Sequence, residues 1–324
     1  MVGATGYIGK FVTRELVSRG YDVISFARER SGVNASNTAE RTRQELKGSE
    51  VRFGDVSDLT SLTRDGIRGE KFDVVVSCLT SRNGGIKDSW NIDYQATRNA
   101  LDAGRAAGAT QFVLLSAICV QKPMLEFQRA KLKFEKELME SGLTWSIVRP
   151  TAFFKSIAGQ VEAVKSGKPY KVFGDGKLTA CKPISEADLA RFMADCIEDP
   201  SKQNKILPIG GPGKAVTNLD QANMLFELLG REPKITKVPI QIFDVIIPML
   251  AFLSRLFPQF KDKAELARIG KYYTSESMLV LNPATGKYDA DATPSYGSDT
   301  LRDFYKRVLK EGLDGQELGS HSLF

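Results

Sequence analysis

Three glycines, each separated from the next by two residues, restrict this 324-residue chain more than any other feature: Gly3, Gly6 and Gly9 in the string GATGYIG. Glycine at such spacing is needed where a backbone must turn sharply or let another group come close. A helix-patterned stretch follows at 11–19, with Phe11, Leu16 and Val17 apolar, and then a strand-like stretch at 21–27. A turn of this kind at a helix start aims unpaired N–H groups and the positive end of the helix dipole at one spot, which suits an anion. One glycine permits the turn, one lets the backbone approach phosphates, and one allows the helix to pack closely. The expectation is a dinucleotide whose pyrophosphate rests on Gly3, Thr5, Gly6, Tyr7, Ile8 and Gly9.

The rest of the first half agrees with that reading. Strand patterns at 21–27, 50–53, 72–79 (FDVVVSCL), 110–116 (TQFVLLS) and 144–148 alternate with helical patterns at 93–107 and 126–141. Strands alternating with helices imply a parallel sheet with crossover helices. The predicted fold class is therefore α/β, a Rossmann-type doubly wound sheet. Only Met1 and Val2 precede the glycine turn, where a strand of about five residues is usual, so the chain is expected to start inside its own first strand. After Pro150 glycine and proline become frequent and the alternation is lost. This predicts a nucleotide-binding domain over 1–150 and a smaller substrate-binding region over 151–324, partly intertwined with it. Helices are expected at 185–197 and 218–229, and a mobile tail at 315–324. The most apolar stretch, 240–257, is broken by Pro248 and reads as core helices or, alternatively, as a segment lying on a membrane surface.

Composition excludes several functions. Forty-five basic against 39 acidic residues leave a net charge of +6, spread along the chain without a basic run, which argues against nucleic acid. Four cysteines without a Cys-x-x-Cys pair, and one histidine near the end, supply no metal site. No run of 18 apolar residues is present to span a bilayer.

The end of the second strand selects the cofactor. A carboxylate there would hold a ribose 2′-hydroxyl, whereas this chain has Arg28, 19 residues after Gly9. A guanidinium matches a 2′-phosphate in charge and fork geometry, so NADPH is expected over NADH. The alternative is that Glu29 contacts a ribose and Arg28 and Arg30 are merely solvated. Asp55 and Val56 follow the third strand, at a usual position for the adenine edge, although Asp55 could equally just form a turn. Thr80 and Ser81 end the fourth strand, at the sheet edge where ligands bind.

The glycine turn, the Arg28 strand end and Arg149-Pro150-Thr151 together resemble the atypical short-chain dehydrogenase/reductase superfamily. The strings GATGYIGKFVTRELVSRGYDVISFARERSG, KDSWNIDYQATRNALDAGR, FVLLSAICVQKPMLEFQRAKLKFEKELM, SIVRPTAFFKS, FGDGKLTACKPISEADLA, ATPSYGSDTLRDFYKRVLKEGL and GQELG resemble one of its families across nearly the whole chain. That family is the divinyl protochlorophyllide (divinyl chlorophyllide) 8-vinyl reductases of plants and green algae. The resemblance implies a chloroplast enzyme that uses NADPH to reduce a C8 vinyl group to ethyl, with Pro150, Thr151 and Phe153 also at the cofactor. It leaves room for peripheral association with chloroplast membranes.

Relatives that act on carbonyls carry Tyr-x-x-x-Lys on the helix after a serine-bearing strand. Here the string is Phe127-Gln128-Arg129-Ala130-Lys131, so the lysine is present and the tyrosine is not. That departure fits reduction of a conjugated C=C bond, where no oxygen needs polarising. Lys131 shares a helix face with Phe127, Ala130, Phe134 and Leu138 and is expected to bind the nicotinamide ribose, the alternative being a snorkelling surface lysine. Ser116 occupies the serine position, as a catalytic group or as a structural hydroxyl capping its strand. Lys131, Cys119, Glu126 and water are the proton-donor candidates. Phe153, Phe154 and the 240–257 stretch could wall an apolar pocket, with Arg149, Lys155 or Lys182 meeting a substrate carboxylate. Two other readings remain: a non-catalytic NADP(H)-binding sensor or structural protein, since such superfamily members also lack the tyrosine, and a reductase of plant phenolics.

Overall fold

The computed structural model describes residues 1–31, 37–82 and 84–312. The chain divides into two compact units. The first comprises Met1–Arg82, Lys87–Arg149 and Glu186–Leu207, and the second takes the remainder.

In the first unit the strands are β1 (Ile24–Ala27), β2 (Glu50–Phe53), β3 (Val74–Ser77), β4 (Gln111–Leu115) and β5 (Thr144–Pro150), joined later by Lys205–Ile209. β1 pairs with β2, β3 with β4 and β4 with β5, all in parallel. Val2 joins the two halves with parallel bridges to Phe26 and Ser77. Its N–H donates to Val76 O and its carbonyl accepts from Cys78 N–H, both at 3.0 Å. The spatial order is β2, β1, Val2, β3, β4, β5 and the 205–209 strand. The chain leaves Val2 toward one side and returns to the other, which makes the end of Val2 the switch point of a doubly wound sheet.

The central strands are apolar because helices cover both faces. All of β4 is buried, and Phe112, Leu114 and Ile147 pack with Val2, Phe26, Leu101, Phe134 and Leu138. The buried Gln111 side chain donates to Cys196 O at 2.8 Å. That bond ties in helix Glu186–Glu198, whose buried residues include Leu189, Phe192 and Met193. Arg19 pairs with Asp195 at 2.8 Å, and the Tyr21 hydroxyl donates to Glu198 at 2.5 Å. Residues 186–207, well past Pro150, therefore belong to the first unit.

The second unit has a parallel pair, Tyr170–Phe173 with Ile235–Val238, and two short antiparallel pairs. Its core gathers Phe154, Tyr170, Val172, Leu225, Phe226, Phe304 and Tyr305. Helix Asn218–Leu228 starts in a reciprocal cap between Thr217 and Asp220. The apolar stretch forms one helix, Ile242–Leu256, that continues through Pro248. Pro248 stands on its exposed side. The expectation of core helices fails here, because no residue of this helix is fully buried. The tail expected at 315–324 lies outside the described residues.

Candidate functional site

The glycine turn follows Val2 at the switch point. Gly3 has φ +76°, a conformation that disfavours side chains, and a Cβ there would stand 2.6 Å from Cys78 C and O. Gly6 N–H donates to Gly3 O at 3.0 Å, and Gly6 then caps helix Tyr7–Ser18 in an extended conformation. The helix begins earlier than its apolar spacing suggested because the turn itself feeds the first helical residue. A Cβ on Gly9 would lie 2.0 Å from Gly3 O, so the first helical turn sits directly on the glycine loop. No side chain caps this helix and its first turn carries no acid. Its leading N–H groups and positive dipole end are thus left for an anion. Ile8 is buried, and Thr5 and Tyr7 are half-buried beside it.

Along the same sheet edge, Arg28 follows β1 and is exposed. Arg82, beyond β3, has its guanidinium pKa lowered, first by partial burial and then by the positive charge of Arg28. Arg28 and Arg82 thus lie within each other's field, and sequence reasoning singled out only the first of them. Asp55 builds a turn, accepting from Ser57 N–H at 2.9 Å and Ser57 Oγ at 2.7 Å. Asn99 fixes this loop by donating to Val56 O at 3.1 Å and Ser57 O at 2.9 Å. Thr80 is exposed, and Ser81 N–H donates to Asp93 at 3.2 Å.

Asp93 was not foreseen. It lies in a π-helical turn, Ser89–Ala96, with its side chain fully buried, and pairs with Lys131 Nζ at 2.9 Å. Lys131 itself is 7% exposed. Its surroundings are therefore not only the apolar neighbours expected on helix Glu126–Met139, and the snorkelling alternative fails. The ammonium is held by a buried carboxylate that also grips the loop after β3. Gln128 locks the start of the lysine helix, accepting from Met124 and Leu125 N–H at 2.7 and 2.9 Å and donating to Cys119 O at 3.0 Å.

One turn on from Lys131 stands Glu135, 1% exposed and also unforeseen. It accepts the Ser116 hydroxyl at 2.5 Å and pairs with the Arg149 guanidinium. The single Ser116 proton is thus directed into the protein. Arg149, a candidate for a substrate carboxylate, is likewise committed to Glu135. Lys182 donates to Thr293 O at 2.9 Å, and Phe154 is buried in the second unit's core, so neither matches its expected role at the substrate. Glu126 accepts from Trp90 Nε1 at 3.0 Å and pairs with Arg129, and Cys119 is 2% exposed. Both are poorly placed to give up a proton. Pro150 closes β5, Thr151 N–H donates to Ile209 O at 2.9 Å, and Phe153 bridges Ile184. These three residues belong to the second unit. Among the described residues no cluster of His, Cys, Asp and Glu could hold a metal ion.

Residues 3–200 match the NAD(P)H-binding family. The divinyl chlorophyllide a 8-vinyl-reductase of Cucumis sativus is 63% identical over 330 residues, covering 100% of this chain and 79% of the relative. That of Arabidopsis thaliana is 59% identical over 326 residues, covering 98% and 78%. The chain belongs to the divinyl chlorophyllide a 8-vinyl-reductase family. Among solved structures, the NADPH-dependent quinone oxidoreductase QOR2 of Escherichia coli, complexed with NADPH, aligns with a TM-score of 0.64 at 17% identity, over 95% of this chain and 98% of that one. At that identity the likeness shows the shared fold.

Proposed function

We propose that the chain is an NADPH-dependent reductase that converts the C8 vinyl group of divinyl protochlorophyllide or divinyl chlorophyllide a to ethyl. What carries this reading is the 63% identity to an 8-vinyl-reductase over the whole of this chain. The glycine loop fits the cofactor: a Cβ at position 3 or 9 would meet backbone at 2.6 or 2.0 Å, so the loop must stay bare, and the helix start beside it presents unpaired donors. On this reading the loop from Gly3 to Gly9 holds the pyrophosphate, and Arg28 with Arg82 holds the 2′-phosphate. Asp55 and Val56 border the adenine. Thr80 and Ser81 border the nicotinamide half, and Lys131 binds its ribose.

Bound NADPH supplies a hydride, and one proton completes the addition across the vinyl C=C. Phe127 stands where carbonyl reductases place a tyrosine, and this substrate has no oxygen at the reacting bond to polarise. Asp93 holds the Lys131 ammonium at 2.9 Å and so orients it, leaving N–H to point at a ribose hydroxyl. Ser116 positions Glu135 and Arg149 and does not donate to substrate. Relatives of this family are named chloroplastic, which supports placing the protein in the chloroplast; peripheral contact with its membranes is a separate part of this reading.

The test is to incubate folded protein with divinyl protochlorophyllide or divinyl chlorophyllide a and NADPH, with NADH in parallel, and follow the pigment by chromatography. Loss of the 8-vinyl group with NADPH is expected. Stoichiometric NADPH binding without conversion would overturn the reading in favour of a cofactor sensor.

A further inference from the structure

Helix Ile242–Leu256 carries a line of large apolar side chains on its outer face: Ile242 is 46% exposed, Val245 69%, Met249 52%, Phe252 61% and Leu256 63%. Their spacing of three and four residues places them on one side of the helix. Phe257, half exposed, extends the line. The opposite side is occupied. Ile246, Ile247, Leu250 and Leu253 are half-buried, and the Phe243 ring lies 5.7 Å from that of Phe173. The helix packs along Phe260–Ser275, with Asp244 paired to Lys271 at 2.6 Å. The helix is therefore docked in its unit by one face and leaves an apolar ridge about 20 Å long on the other. An exposed apolar patch of that size marks an interaction surface.

Charge around the ridge selects its partner. Between residues 237 and 263 the charged side chains are Lys237, Arg255, Lys261 and Lys263 against Asp244 and Asp262. All four cations are exposed. Asp244 is neutralised by Lys271, and Asp262 accepts from Ile86 N–H at 3.2 Å. Arg255 stands on the helix and Lys263 lies 4.9 Å from the Phe260 ring, which neighbours Phe257, so cations sit at the ridge's C-terminal end and complement a bilayer interface bearing anionic headgroups: the apolar residues enter the acyl boundary and the cations meet the phosphates. A second copy fits worse. Two heptads interrupted by Pro248 are too short for a paired-helix seam. No helix among the described residues is long and apolar enough to cross a membrane.

We infer that the Ile242–Leu256 helix is the membrane-docking surface of this protein, lying in the plane of an anionic bilayer without spanning it. This deepens the membrane part of the reading above and rests on that part alone. The test is co-sedimentation of the whole protein with phosphatidylcholine vesicles, with and without phosphatidylglycerol, at low and high salt. Binding to the anionic vesicles is expected, weakened by salt. Phe252→Glu combined with Leu256→Glu is expected to lower the partition coefficient by at least about tenfold. Because these side chains are exposed, the exchange leaves the fold intact, which circular dichroism checks. As a second readout, Phe252→Trp should show a blue-shifted emission increment on anionic vesicles, since the native Trp90 and Trp145 both lie in the first unit. Vesicle binding undiminished in the double variant, or no vesicle binding with unshifted emission, would overturn the inference. So would a wild-type dimer in sedimentation that the Glu variants dissociate, which would give the ridge to a second copy. Vinyl reduction is scored separately in detergent: binding without reduction refutes the reaction and keeps the surface, and reduction without binding does the reverse.

Discussion

Replacing Asp93 by alanine removes the counter-charge of a lysine that is almost wholly buried. The carboxylate is fully buried, the Lys131 side chain is 8% exposed, and they meet at 2.9 Å. Breaking a buried ion pair by deleting one partner costs about 3–5 kcal/mol, because the remaining charge is stranded. Ser81 N–H loses its acceptor as well. Both tryptophans, Trp90 and Trp145, lie in the first unit, so a urea titration followed by tryptophan fluorescence places its probes in that unit. With a slope of about 2 kcal/mol per molar urea, the expected fall in midpoint is about 1.5–2.5 M. Lys131→Met in the Asp93→Ala background removes the stranded charge as well, and should recover at least about 2 kcal/mol relative to the sum of the single changes. NADPH affinity should stay low in that double variant, since the ribose contact is gone. If the two changes add within about 0.5 kcal/mol, the pair is uncoupled and the positioning role of Asp93 is wrong.

Arg28→Ala and Arg82→Ala should each weaken NADPH about ten- to a hundredfold in calorimetric titration, as expected for one charge-assisted hydrogen bond. NADH should be unaffected, and equal losses for the two nucleotides would remove the 2′-phosphate from this site. Gly9→Ala drives a Cβ to 2.0 Å from Gly3 O, so the loop must open. NADPH should then no longer raise the melting temperature, and a normal NADPH-induced shift would contradict the packing. Burial pushes the Cys78, Cys181 and Cys196 thiols up to about 12, from an ordinary value near 9. The unfolded chain ionises first, so stability from these groups is complete below pH 9 and is lost between about pH 9 and 12. Native protein at pH 8 should resist a thiol reagent that reacts readily in guanidinium. Rapid labelling of the native protein would show that these thiols are reached by local opening.

Local patterns explain what could be read from residues alone. The glycine spacing has one physical use, the apolar runs at β3 and β4 have no partner-free alternative, and Lys131 stands at the right interval from Phe127 on an amphipathic helix. The position of Arg28 just after a strand was legible for the same reason, since the distance along the chain from glycine turn to strand end is set by one helix and one strand. Glu135 carried a weak signal, an acid four residues beyond Lys131 on an apolar face. Asp93 carried none, because what matters is that a π-helical turn swings it under Lys131, 38 positions away in sequence.

By itself, then, the sequence determined the sheet class, the glycine turn and the family, since each depends on short-range spacing or on extended identity. Tertiary structure decided which ions are paired. Arg149 and Ser116 looked available for substrate and are spent on Glu135, and Lys131 gained a buried partner. It also returned residues 186–207 to the first unit and left the most apolar helix facing outward. Hydrophobic pattern fixes that a face must be covered, but which surface covers it depends on contacts between residues far apart in the chain, and periodicity carries no record of those.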